Sequence, residues 1–302
     1  MAEQTRKQPD LDNARSVLLL ESMDGVGRVS TRKILQHFSR LEEVARFPRE
    51  QALNQLKGVP SAAKLVDRLR DKEAMEAATA DIEKRIFAWT QRKIVIGTFL
   101  DEGWPDRLND LPNPHRPNAI FSYGAVEDLN RPSAAIIARG AIEEGPFEAA
   151  QKLVKLLVSR DVWVSVGITT GFDVVAIKLS LGGDLAPMIV ASCGLARVEA
   201  GMRSHAGKVV KSGGLMTSSL PMDHGPFEHD AREGYLVQTA LAKAVVFVDP
   251  MPESFEWAAL EWALSSGMSV FAISERSLPE RVHLIKDATD MEWVVAAIKH
   301  VG

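Results

Sequence analysis

The chain has a single cysteine, Cys193, among 302 residues. No internal disulfide can form, and a reducing, cytoplasmic setting is expected. Long apolar runs are missing as well. No stretch reaches the roughly 18 residues that cross a bilayer. The leading segment MAEQTRKQPDLDN lacks the apolar centre of a signal peptide, so no membrane partner is expected. The seven histidines, at 37, 115, 205, 224, 229, 283 and 300, show no metal-ligand spacing. His224 and His229 read as part of a polar surface loop. Neither a nucleophile–base pairing nor a GxGxxG loop stands out, so the expectation is a non-catalytic protein with no cofactor and no bound metal.

What is present is ordinary globular material, with 46% hydrophobic and 25% charged residues. The length suggests two domains. The net charge of −4 hides an uneven distribution. Residues 1–95 carry 18 Lys and Arg against 14 Asp and Glu, whereas residues 96–302 carry 18 against 26. Positive charge gathers where phosphates are held, and only the first third meets that condition.

Three- and four-residue apolar spacing predicts helices over 12–23, 29–38, 41–47, 49–56, 61–70 and 72–91, punctuated at Gly25, Gly27, Pro48, Gly58 and Pro60. From Lys93 the pattern changes. Strands are expected at 94–96, 119–123, 134–137, 162–166, 187–192, 208–211, 214–218, 244–248 and 269–273. Helices are expected near 146–159, 172–181, 195–202, 230–242, 254–266 and 290–299. Apolar strands alternating with helices predict a doubly wound, mostly parallel sheet. The expected division is a helical domain over 1–92 and a Rossmann-like α/β domain over 93–302.

Two regions are candidate sites. In Met23-Asp24-Gly25-Val26-Gly27-Arg28, a tight glycine turn between helices lets backbone N–H groups approach a phosphate, with Arg28, Arg32 and Lys33 alongside. Helix-hairpin-helix modules hold a nucleic-acid backbone in this way, although a plain turn between helices fits equally. Leu56-Lys57-Gly58-Val59-Pro60-Ser61 is a weaker second turn, opening the helix that carries Lys64, Arg68 and Arg70. The other candidate is the crevice at the carboxyl ends of the strands. Arg139 and Gly140 stand in its first loop, where Glu143 and Glu144 oppose a phosphate. Gly167, Thr169, Thr170, Gly171 and Asp173 stand in the second loop, and Cys193 and Gly194 in the third. Ligand contact and structural turn are both open for these loops, and Cys193 reads as a buried small residue.

This combination resembles the DNA processing protein A (DprA, or Smf) family. The likeness rests on Gly25-Val26-Gly27, on Asp101, Trp104, Pro105 and Leu108, and on Ile120-Phe121-x-Tyr123-Gly124. It continues through Gly167-x-x-x-Gly171-x-Asp173, Gly182-Gly183, Cys193-Gly194-Leu195, Gly214–Pro221, Ala240–Asp249, Gly267–Ile273 and Leu284-Ile285-x-Asp287. The resemblance implies a helical domain joined to an extended Rossmann-like domain. It also implies single-stranded DNA as partner, a role in DNA processing and recombination with hand-over to a RecA-type recombinase, and a homodimer through the Rossmann-like domain. There are departures. Ala138-Arg139-Gly140 replaces the family's Gly-Ser-Arg, Ile177 stands for a histidine, and Gly234-Tyr235-Leu236 stands for Arg-Asn-Arg with Arg232 nearby. Phe255 replaces a glycine. The main DNA contact is therefore expected from the basic first third. The alternatives are a nucleotide-sensing regulator or an assembly subunit with a degenerate pocket.

Overall fold

The computed structural model describes residues 9–38, 41–60, 62–139, 142–169 and 171–299. The chain divides into two compact units, Met1–Trp104 with Pro112–Ile120, and Pro105–Leu111 with Phe121–Gly302.

Unit 1 holds helices α1 (Leu11–Glu21), α2 (Arg28–His37), α3 (Leu41–Arg46), α4 (Arg49–Gln55), α5 (Ala62–Arg70) and α6 (Lys72–Gln91), then strand β1 (Val95–Thr98). Helix starts follow local chemistry. The Asp10 carboxylate accepts the N–H of Asp12 and that of Asp71 accepts the N–H of Ala74, each satisfying a donor that the first turn leaves open. Val17, Leu20, Ile34, Val44, Leu56 and Val66 are completely buried, each burial worth roughly 1.5–3 kcal/mol.

Unit 2 is built on a sheet with strands β2 (Ala119–Gly124), β3 (Ser133–Ala138), β4 (Trp163–Val166), β5 (Met188–Val190), β6 (Leu215–Ser218), β7 (Ala244–Val248), β8 (Ser269–Ile273) and β9 (His283–Leu284). Their order is β2-β6-β5-β4-β3-β7-β8-β9. Ala119 and Ile120 of β2 belong to unit 1. The strands from β6 to β9 run parallel, and β2 is antiparallel to β6. Every residue of β3 and β7 is buried, as expected when helices cover both faces. The helices are α7 (Glu144–Ser159), α8 (Phe172–Ser180), α9 (Ala200–Lys211), α10 (Asp230–Leu241), α11 (Phe255–Ser265) and α12 (Ala288–Lys299). Buried Gln238 of α10 donates from Nε2 to the carbonyls of Ile136 (3.1 Å) and Ser165 (3.0 Å), joining β3 and β4.

The strand order reverses between β3 and β7. Doubly wound sheets bind ligands outside the carboxyl ends of the strands at that point. Two local expectations are corrected. Residues 208–211 are the last turn of α9 rather than a strand, and the short edge strand β9 was not foreseen.

Candidate nucleic-acid interface

Two turns of unit 1 share one geometry. Between α1 and α2 the N–H of Val26 donates to the Met23 carbonyl (3.1 Å), and between α4 and α5 that of Val59 donates to the Leu56 carbonyl (2.9 Å). The third residue of each, Gly25 at φ +76° and Gly58 at φ +82°, lies in the left-handed region that side chains disfavour. The following valines are buried and tie the turns to the core. Gly27 begins α2 with no side-chain cap, and a Cβ at Gly25 or Gly27 would meet open space. Lys33 of α2 links the two turns, its ammonium donating to the Lys57 carbonyl.

The cations near these turns divide by role. Arg32 donates from Nε to Asn118 Oδ1 (3.1 Å) and from its terminal nitrogen to the Pro117 carbonyl (2.9 Å), and lies 4.2 Å over the Phe99 ring. Burial, helped by Arg116, lowers its pKa to about 10 against the opposing pull of Glu21. Arg32 therefore braces unit 1 from within. Arg70 donates to the Phe47 carbonyl. Arg28 is half-buried, while Lys57, Lys64 and Arg68 are exposed on the second turn and α5.

In unit 2 the loops of the crevice turn their donors inward. The Asp173 carboxylate accepts the N–H (2.8 Å) and the hydroxyl (2.7 Å) of Thr169, and a backbone N–H from Gly167. A Cβ at Gly167 would lie 2.6 Å from Asp173 Oδ2. Burial raises the Asp173 pKa to about 6, although these hydrogen bonds pull it down. Gly171 starts α8 at φ +76°. In the third loop the Gly194 N–H donates to the His224 carbonyl (2.8 Å). A Cβ there would sit 2.1 Å from the Pro221 carbonyl oxygen. Burial, and then Asp230 and Glu199, push the Cys193 thiol up to about 11, so it is protonated at neutral pH. Gly140 and Thr170 lie outside the described residues. Arg232 is exposed on the first turn of α10.

At the reversal point Arg139, following β3, faces Asp249, following β7, at 3.6 Å, and Arg276, following β8, reaches Asp249 at 2.9 Å. Sequence reasoning reached Arg139 but missed Asp249 and Arg276. A signal was available, since both follow the carboxyl end of an apolar strand. Another omission is Asp230, a buried carboxylate that engages His224 (3.0 Å) and the N–H of Phe227 (3.2 Å) and so shapes the loop over Cys193.

Residues 95–290 match the family described as DNA recombination-mediator protein A. The chain belongs to that family. Protein Smf of Escherichia coli strain K12 is 25% identical over 175 residues, 57% of this chain and 46% of that protein, so the chain spans about half the length of this relative. The fold is that of DNA processing protein A from Streptococcus pneumoniae, with a TM-score of 0.68 at 17% identity over 97% of this chain and 100% of that one. The Helicobacter pylori DNA processing protein A, described for its single-stranded DNA binding mode, gives a TM-score of 0.56 at 16% identity, covering 68% of this chain and 97% of that one.

Recombination-mediator membership explains the sheet and its loops, and the departures take structural meaning from it. Gly234 lets α10 approach the third loop. A Cβ there would lie 2.6 Å from that of Ser192. Tyr235 follows, its phenol pushed up by burial and then by Asp173 and Glu256. At this end of the sheet the described loops hold Asp173, Asp249 and Glu143 beside Arg139 and Arg276.

Proposed function

We propose that this recombination-mediator family member binds single-stranded DNA without catalysing a reaction on it, and acts in the cytoplasm in DNA processing and recombination. Family membership over residues 95–290 carries this reading. Among the described residues no helix is long and apolar enough to cross a membrane. Within this reading a homodimer formed through unit 2 presents the strand to a RecA-type recombinase.

Contact through unit 1 uses the Gly25-Val26-Gly27 turn with Arg28 and Lys33, and the exposed Lys57, Lys64 and Arg68 of the second turn. Arg32 supports the hairpin rather than the DNA. The test is binding of single- and double-stranded oligonucleotides to the intact protein across a salt series. Affinity is expected to fall with salt, with a slope of about −0.7 per phosphate neutralised on a single strand. Changing Lys57, Lys64 and Arg68 together to Ala is expected to flatten that slope by about 2. Salt-independent binding, or none at low salt, overturns the reading.

A further inference from the structure

The reversal point of the sheet holds an ion-pair cluster that unit 1 does not explain. Asp249 is 3% exposed in its side chain, whereas Arg139 and Arg276, which converge on it, are 31% and 40% exposed. Register brings the three together. Ala138 pairs with Val248, and Val248 with Ile273, so the residues emerging from β3, β7 and β8 meet at one end of the sheet. The cluster is secured from below by the Asp249 N–H donating to the Ile273 carbonyl (2.8 Å). At its side the Ser274 hydroxyl donates to Asp249 Oδ1 (3.4 Å). Arg276 also reaches Glu143 at 3.4 Å, but that carboxylate is 65% exposed and the contact is screened by water.

As a permanent structural bridge the cluster is badly finished. The 3.6 Å between Arg139 and Asp249 is beyond hydrogen-bond reach. Asp249 Oδ2 and Arg139 Nε are both buried without a hydrogen-bond partner. Native structures rarely leave such atoms unmet, because each costs its desolvation. Asp249 stands at φ +49°, in the left-handed region that aspartate and asparagine enter more readily than other side chains. A carboxylate and a phosphate present similar paired oxygens to a guanidinium. Two arginines around one carboxylate at a ligand-binding position thus have the form of an anion site already filled.

We propose that Arg139 and Arg276 form a phosphate-binding pair at the carboxyl ends of β3 and β8, and that Asp249 occupies it as an internal competitor. The phosphate is a phosphodiester of single-stranded DNA, and in that respect the proposal rests on the function given above. When the strand arrives, its phosphate oxygens take the two guanidinium groups and satisfy Arg139 Nε, and Asp249 gives up its contact with Arg276.

The experiment uses the full chain, an oligodeoxythymidine and, separately, inorganic phosphate. Asp249→Asn keeps an oxygen for Arg276 and Ser274 and suits a positive φ, so only the charge is removed. It is expected to tighten oligonucleotide binding at least about tenfold and to steepen the salt slope. The double variant Asp249→Asn, Arg276→Ala is expected to lose that gain. Arg276→Ala alone is expected to weaken binding several-fold, so the proposal remains testable should Asp249→Asn fail to fold. Unchanged affinity in folded Asp249→Asn, or a gain that survives loss of Arg276, overturns the proposal while leaving DNA binding intact. A wild-type chain that binds no oligonucleotide overturns the DNA reading. In that case stabilisation of Asp249→Asn by inorganic phosphate, absent in the double variant, shows that the anion site itself stands, and its absence removes the site too.

Discussion

Asp173 shows how a single side chain decides what a loop presents. The loop before α8 has the glycines and hydroxyls that suit phosphate binding, but its Thr169 and Gly167 donors are satisfied by that carboxylate. Keeping Asp173 ionised and buried has a cost that depends on pH. Its folded pKa of about 6 lies above the ordinary 3.8, so the group favours the folded state most below about pH 4 and loses that contribution as pH rises through 6. Relative to Asp173→Asn, the wild-type chain is expected to lose about 3 kcal/mol of stability between pH 4 and 7. Denaturant unfolding of both proteins at several pH values measures this, and an opposite or absent trend refutes it. Arg32 makes the complementary case. Its place just after the glycine turn reads as a DNA contact in sequence, yet its partners Pro117, Asn118 and Phe99 lie far along the chain. Arg32→Ala is expected to cost about 2–3 kcal/mol of folding stability. The salt slope of DNA binding should stay unchanged in the folded variant, and a flattened slope would return Arg32 to the interface.

At the scale of elements, the helices of the first third were legible because short amphipathic segments with glycine turns leave a strong periodic signal. Residues 208–211 misled for a physical reason. Lys208-Val209-Val210-Lys211 has the β-branched look of a short strand, but nothing breaks the helix begun at Ala200, and Gly213 at φ +82° ends it two residues later. The β9 strand has two residues, too few for any periodic pattern, and exists only because β8 offers an edge to pair with. Gly194 belongs to this scale as well, since its lack of a side chain sets how closely two loops pack. An added methyl would strike the carbonyl oxygens of Pro221 (2.1 Å) and Met222 (2.4 Å). Gly194→Ala is expected to destabilise by about 2–3 kcal/mol, seen as a lowered denaturation midpoint with unchanged slope. Wild-type stability in that variant would show that the loops part easily.

For the whole molecule, a net charge of −4 gives no general attraction to nucleic acid, so contact depends on where cations are exposed. Lys57, Lys64 and Arg68 supply such places in unit 1, while in unit 2 Arg139 and Arg276 are matched by Asp249 and Glu143. Wild-type binding is therefore expected to be moderate, with a salt slope of about −2 to −4 on single-stranded DNA. A slope beyond about −6 would mean that many more phosphates are held than these residues can reach.

The chain alone determined the alternation of helix and strand, the strongly apolar strands β3 and β7, the glycine turns at 25 and 58, and the uneven spread of charge. These properties depend on neighbours within a few residues, so periodicity and backbone preference report them directly. The partners of each charge were decided only by tertiary structure. Arg32 meets Asn118, 86 residues along the chain, and Arg139 and Arg276 converge on Asp249 because strand order and register bring three distant loops to the same end of one sheet. A side chain's charge is written in its codon, but whether that charge faces a ligand or another residue depends on contacts that no local pattern records.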